Sequence, residues 1–333
     1  MSEGVDLDAI ARRAADAASQ ALGEGQLVRD IEPLAGGHSG LTLVASLVNP
    51  SGVENRIVLK LAPPGRPAVG RHDVLRQAAL LRGIARSGAA VAVPEVLFLS
   101  PGDPPLFAMA WVDGEAVEPV LDDVDVPAHL AETRALAAAR MLAALHGIAP
   151  VDAGIDEAEE ILSVGDELDR WARTMNAVDP DLRPRAADLL DRLRRDLPDE
   201  LTPSIVHGDY RLGNILCVGS DLRAIIDWEI WSVSDPRIDL GWFTVFADPA
   251  HFPGASYPAP GMPSGDILLS EYERIRGKVD AWPWFDAFGR FKMAAIMGHN
   301  LRRHREGRHH DPYQETLPPT ILSLVDQGLE ILE

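Results

Sequence analysis

The sequence predicts an α+β chain, with an antiparallel sheet and a helix in its first third and a mostly helical remainder. Leu27 to Leu34, Leu41 to Val48 and Arg56 to Ala62 are strand-like runs. Gly36-Gly37-His38-Ser39-Gly40 and Asn49-Pro50-Ser51-Gly52 separate them, the pattern of a meander with hairpin turns. From Pro127 onward the apolar residues recur at helical spacing instead. Length agrees: 333 residues with 46% hydrophobic content can bury a large core and suggest two lobes rather than one.

The elements follow in order. Asp6 to Leu22 reads as a helix with Leu7, Ile10, Ala14, Ala17 and Ala21 on one face, suited to covering the first lobe. After the meander comes a helix from His72 to Arg86, with Val74, Leu75, Ala78, Leu81 and Ile84 as its apolar side. Pro94 to Phe98 and Leu106 to Val112 read as the last strands of the lobe, before Asp113-Gly114 turns the chain. The second lobe opens with a helix from Pro127 to His146, which Gly147 stops. Helices near Leu162 to Met175 and Arg183 to Leu197 follow, and Trp171 reads as a core residue of the first. Ser204-Ile205-Val206 and Leu222 to Ile226 are short apolar runs bounded by turns, hence buried strands. The Pro- and Gly-rich stretch from Asp248 to Asp266 is too long for a simple connector and reads as a lid or a locally disordered loop. Helices near Leu268 to Arg276, Trp284 to Arg305 and Leu317 to Leu332 complete the chain.

Composition sets outer limits. A net charge of −20 argues against nucleic acid, whose phosphates demand a basic surface. It is compatible with a cationic substrate, although surface acidity mostly serves solubility. The densest acidic stretch, Asp152 to Asp169, holds no Lys or Arg and reads as an amine-binding lip or a charged loop. Arg302, Arg303, Arg305 and Arg308 form an opposite cluster, and His309-His310 lack the spacing of a zinc site. The single cysteine, Cys217, reads as a small buried core residue, in keeping with a reducing cytoplasm. No signal-peptide pattern opens the chain, and no apolar run approaches the ~20 residues that span a bilayer. No membrane association and no nucleic-acid partner are therefore expected, and oligomeric state is not readable from one chain.

The informative segment is His207-Gly208-Asp209-Tyr210-Arg211-Leu212-Gly213-Asn214, with Ile225-Ile226-Asp227-Trp228-Glu229 and Asp239 behind it. Two short strands that each deliver an acidic group resemble a kinase catalytic loop and its metal-binding Asp. A transferring phosphoryl group carries charge on its peripheral oxygens, so its site needs magnesium on hard oxygen ligands. Asn214 and Asp227 supply an amide oxygen and a carboxylate. Asp209 would accept or orient the proton of an attacking hydroxyl, and Arg211 places a cation where negative charge develops. His207 and Asp239 read as residues that stabilise the loop by hydrogen bonds.

This segment, with Asp235-Pro236 and Asp239-Leu240-Gly241 after it, resembles the aminoglycoside phosphotransferase family of small-molecule kinases. Within that family it is more similar to the branch that also occurs fused to acyl-CoA dehydrogenases. The resemblance runs over roughly residues 25 to 310, with only the central segment specific. It implies a protein-kinase-like bilobal fold: residues 1–110 as the nucleotide-binding lobe, 111–115 as the hinge, and 116–333 as the catalytic and substrate lobe.

It also implies ATP and Mg2+ as cofactors and a small-molecule hydroxyl as acceptor. Gly36, Gly37 and Gly40 would let backbone amides approach the phosphates. Lys60, one of few lysines in an Arg-rich chain, would grip the α- and β-phosphates, and the backbone from Met109 to Val112 would bond the adenine edge. Two positions depart from the pattern. Gln77 stands where a kinase keeps the Glu that pairs with the lysine, leaving Asp73 or Glu95 as substitutes. Glu229 stands at a kinase glycine, where it would reach metal or substrate or pair with an arginine. An aminoglycoside-like and a hydroxyacyl-CoA-like acceptor both fit, the first through carboxylates, the second through arginines. The alternatives are a nucleotide-binding protein with little catalysis, motivated by Gln77, and a metal phosphohydrolase using His207, Asp209, Asp227 and Asp239.

Overall fold

The computed structural model describes residues 6–34, 41–63, 65, 67–308 and 310–333. The chain forms two compact units. One is the chain up to Asp113 with Val151–Glu157 and Arg223–Ile230; the other holds Gly114–Pro150, Ala158–Leu222 and Trp231–Glu333.

In the first unit, α1 (Leu7–Leu22) starts at Asp6, whose carboxylate accepts the Ala9 N–H at 3.0 Å and so satisfies one of the open helix-end donors. Strands β1 (Leu27–Pro33), β2 (Leu41–Val48) and β3 (Glu54–Leu61) form the expected antiparallel meander. β3 pairs next with β5 (Leu106–Ala110), and β4 (Val96–Ser100) closes the far edge, giving the order β1-β2-β3-β5-β4. Ile10, Ala14, Ala17 and Ala18 of α1 share a core with Leu43, Ile57, Leu59, Phe98 and Ala108 of the sheet, so α1 covers one face as its apolar stripe requires. Helix α2 (Val74–Ser87) begins two residues later than expected. Gly70–His72 forms a 3-10 turn, and the Asp73 carboxylate caps the helix by accepting the Leu75 and Arg76 N–H groups.

The second unit is mostly helical. It holds α3 (Ala128–Leu145), α4 (Val164–Asn176) and α5 (Ala186–Arg195), then strands β6 (Ser204–Val206) and β7 (Ile215–Val218). β8 (Asp221–Ile225) starts in it, and β9 (Ser232–Ser234) pairs antiparallel with β6. Helices α6 (Arg237–Val245), α7 (Gly265–Arg276), α8 (Trp282–Arg305) and α9 (Pro318–Ile331) follow. The Asp248 to Asp266 stretch is anchored at several points. Phe252 is fully buried, Thr320 and Tyr313 donate to the Pro253 and Ala255 carbonyls, and the Tyr257 N–H donates to Val120 O. Its prolines and glycines shape a packed connection. Helix α6 was not legible as a helix, and it is the element that positions the site. It crosses α8 closely, because a Cβ on Gly241 would lie 2.3 Å from Phe285 O and one on Gly289 would lie 2.4 Å from Gly241 O. That approach sets Trp242 of α6 against Lys292, three residues beyond Gly289. Among the described residues no helix is long and apolar enough to cross a membrane.

Candidate active site

Strand β6 is buried along its length and runs directly into His207, so the loop that follows starts from a fixed point. Gly208 takes φ +85, a conformation costly for other residues, and turns the chain so that consecutive amides face one way. Asp239, in the first turn of α6, accepts both: the His207 N–H at 2.6 Å and the Gly208 N–H at 2.8 Å. Full burial would push this carboxyl up. The hydrogen bond from His146, with the nearby Lys292 ammonium, outweighs that, and it ends below the ordinary carboxylate range. Asp239 is therefore a buried anion that clamps the loop, and Tyr272 holds His146 on the far side, oxygen to Nδ1 at 2.8 Å.

The clamp aims Asp209. The Asp209 N–H donates to His207 Nδ1 at 3.1 Å, one carboxylate oxygen accepts Trp242 Nε1–H at 2.9 Å, and the other accepts Asn214 Nδ2–H at 2.8 Å. Asn214 Nδ2 also donates to the Asp209 backbone carbonyl at 2.9 Å, so both groups of one loop lock each other. The Asp209 side chain keeps 27% exposure, enough to meet a ligand. Arg211 lies between two carboxylates, Nε 3.5 Å from Asp209 Oδ1 and Nη1 3.9 Å from Glu118 Oε2. Glu118 is fully buried, and its Oε2 accepts the Gly213 N–H at 3.2 Å while its Oε1 has no partner among the described residues. Burial pushes this carboxyl up to about 7, against the pull of the Arg211 charge.

The first unit carries the second group of charges. Lys60 sits in β3, in register with Thr42 on one side and Phe107 on the other, and is buried. Its ammonium lies 2.7 Å from Glu229 Oε1 and 3.4 Å from Asp227 Oδ1. Glu229 thus meets a lysine rather than the expected metal, substrate or arginine. Asp227 adopts φ +65, unusual for a residue with a Cβ, and its side chain is 44% exposed. Gln77 is buried and donates to the Arg71 carbonyl at 3.3 Å. Asp73 is used as the α2 cap and Glu95 is exposed, so neither expected substitute takes the carboxylate's place. Met109 stays in the sheet, facing Val58 and Val96, and Val112 follows the end of β5. Gly36, Gly37 and Gly40 lie outside the described residues.

Members of the other charged clusters pair locally. Arg302 pairs with Glu306, Arg305 with Glu315 and Asp179, and Arg308 with Glu306. In the acidic stretch, Ser163 and Asp166 form a capping box for α4, and Glu167 accepts the Trp171 indole N–H at 3.1 Å. Trp171 belongs to the core of the second unit. Cys217 is buried, and burial raises its thiol to about 11. No group of three or more His, Cys, Asp or Glu among the described residues is arranged to hold a metal. Magnesium usually takes only one or two protein oxygens, with nucleotide phosphates and water completing its shell. Asp227 offers an exposed carboxylate. Asn214 has its Nδ2 engaged by Asp209, which leaves the amide oxygen as the ligand atom, with no hydrogen bond to it among the described residues. Each residue taken by itself fits such a shared shell.

A sheet-and-helix unit with a buried strand lysine, and a helical unit with a clamped Asp-to-Asn loop, define a kinase-like protein. Residues 30–266, well over half the chain, match the phosphotransferase enzyme family, APH. The chain belongs to this family, which sets its coarse chemistry as phosphoryl transfer. Acyl-CoA dehydrogenase family member 10 of Mus musculus is 24% identical over 278 residues, covering 77% of this chain and 25% of that protein. The chain thus spans about a quarter of that relative's length. A crystal structure from Ralstonia eutropha, provisionally named an aminoglycoside phosphotransferase, superposes with a TM-score of 0.76 at 21% identity, covering 98% of both chains. The GDP and kanamycin complex of APH(2")-IIIa gives 0.60 at 16% identity, covering 95% of this chain and 96% of the other.

Proposed function

We propose that the chain transfers the γ-phosphoryl group of ATP, with magnesium, to a hydroxyl of a small molecule, aminoglycoside-like or hydroxyacyl-CoA-like. The observation that carries this reading is the Asp209 carboxylate. Its two oxygens are fixed by Trp242 and Asn214 while the group stays partly exposed, which is what a proton acceptor for an incoming hydroxyl requires. Bound magnesium would neutralise phosphate charge, held by the Asn214 amide oxygen and the Asp227 carboxylate. Lys60 contributes a fixed cation for the α- and β-phosphates, and Glu229 rather than Gln77 supplies the charge that keeps it in place. Lys60 thus has a buried carboxylate partner despite the glutamine at position 77. Val112 and the adjoining backbone would meet the purine edge, and Arg211 would stabilise charge on the transferring group. The relative solved with GDP and kanamycin supports nucleotide use and a hydroxyl-bearing acceptor.

The test is incubation with Mg-ATP and pooled hydroxyl compounds, aminoglycosides and hydroxyacyl-CoAs included, followed by mass spectrometry for one added phosphoryl group. Wild type should form a product that Asp209→Ala does not. A product that survives in Asp209→Ala, or no product although ATP binds, overturns the assignment.

A further inference from the structure

Lys292 is a buried cation with no role in the reading above. It projects from α8 into the interior and is only 1% exposed. Its ammonium lies 4.2 Å from the centroid of the Trp242 ring and 5.1 Å from that of Trp171, so two π faces take the place of water around it. It donates one hydrogen bond, to the backbone carbonyl of Gly208.

That carbonyl belongs to the peptide unit whose N–H is the Asp209 amide. Lys292 holds the carbonyl end and His207 Nδ1 accepts from the amide end, so the plane leading into Asp209 is fixed from both sides. Trp242, under the same ammonium, donates its indole N–H to Asp209 Oδ1. A cation on a π face draws electron density from the ring and makes the indole N–H a stronger donor. One side chain therefore acts on Asp209 twice, through its backbone and through its carboxylate. We infer that Lys292 is a positioning residue for Asp209, wedged between Trp171 and Trp242 to set the direction of the carboxylate. The inference rests on the reading of Asp209 as the proton acceptor.

Burial lowers the basicity of Lys292, and three carboxylates offset that in part: Glu167 on α4, Asp239 on α6 and Asp209 in the loop, with Arg170 opposing them. A residue that served only to fill the core would not need this arrangement, because a Met there would pack against both indoles without a charge to satisfy.

The experiment compares full-length wild type, Lys292→Met, Lys292→Arg and Trp242→Phe. One readout is phosphate release from Mg-ATP with water as acceptor. The other is the indole N–H spectrum of 15N-labelled protein, in which Trp242→Phe identifies the Trp242 signal among the seven tryptophans. Lys292→Met should lower kcat on the order of 100-fold with KM for ATP within twofold, since a misdirected reactive group costs turnover rather than binding. Lys292→Arg should recover at least a tenth of the wild-type rate, and the Trp242 signal should move in Lys292→Met. Equal rates in wild type and Lys292→Met, or a rate loss with the Trp242 signal unmoved, overturn the inference. Wild type without any phosphate release would contradict the phosphotransferase reading instead. The indole spectrum then decides the Lys292 geometry by itself, movement supporting it and no movement overturning it. Should Lys292→Met fail to fold, Lys292→Arg and Trp242→Phe carry the test. A folded Trp242→Phe with wild-type kcat overturns it.

Discussion

Two of the three lysines in this Arg-rich chain are buried, and the two units use them differently. Lys60 lies near the end of a strand with its ammonium between the carboxylates of Glu229 and Asp227, and Asp227 is open to solvent. Ion pairs of this kind can be exchanged, so an incoming phosphate is able to take over part of the cation's coordination. Lys292 instead meets two indole faces and one backbone carbonyl, and nothing from solvent reaches it. The first arrangement suits a cation that binds a ligand, the second one that fixes a loop. Burial alone therefore does not distinguish the two lysines; the exchangeability of their partners does.

The sharpest way to separate the two regions is Asp209→Asn, which touches only the loop that Lys292 holds. It should lower kcat by about 10^3-fold, within the range for loss of a general base, and leave Mg-ATP affinity unchanged in a binding titration. An equal loss of affinity would mean that the two regions are not separable in function.

A second test uses the buried charge that lacks such satisfaction. Glu118 has one oxygen without a partner among the described residues, and burial raises its carboxyl from 4.5 to about 7. Between those values the folded chain keeps a proton that the unfolded chain has released. This group is therefore neutral and harmless below about pH 4.5, and its burial weakens the fold progressively as pH rises to about 7. At pH 8 the cost is about 3 kcal/mol. Glu118→Gln should remove that cost, raising stability in urea at pH 8 and flattening its pH dependence between pH 5 and 7. If the variant is less stable at pH 8, the Arg211 contact outweighs the burial.

In the first unit, Glu229→Gln should raise KM for ATP about tenfold with kcat little changed, the loss of one charge-assisted contact. Gln77→Glu in the same background should not restore it, because the Gln77 side chain reaches the Arg71 carbonyl. Rescue by Gln77→Glu would return the pairing role to α2.

Much of this was legible in the sequence. The meander, the long helices and the Asp209-to-Asn214 spacing are local patterns of period and turn chemistry, which short stretches of chain carry in full. The partners were not. Glu229 lies far from Lys60 in sequence, Glu118 follows an ordinary Asp-Gly turn, and Trp242 looks like any core aromatic. Only Lys292 left a trace, a charge flanked by Phe291 and Met293 in an apolar helix segment, where an unpaired lysine would be costly. The close approach of Gly241 and Gly289 that brings it to the loop belongs to tertiary packing, and no period within α6 announces it.

The most direct test of the comparison is calorimetric titration of Mg-ATP into folded Lys60→Met and Lys292→Met side by side. Lys60→Met should lose at least tenfold in affinity, about 1.4 kcal/mol, and Lys292→Met should bind within twofold of wild type. Wild-type affinity in Lys60→Met, or an equal loss in both variants, would contradict the division of roles between the two lysines.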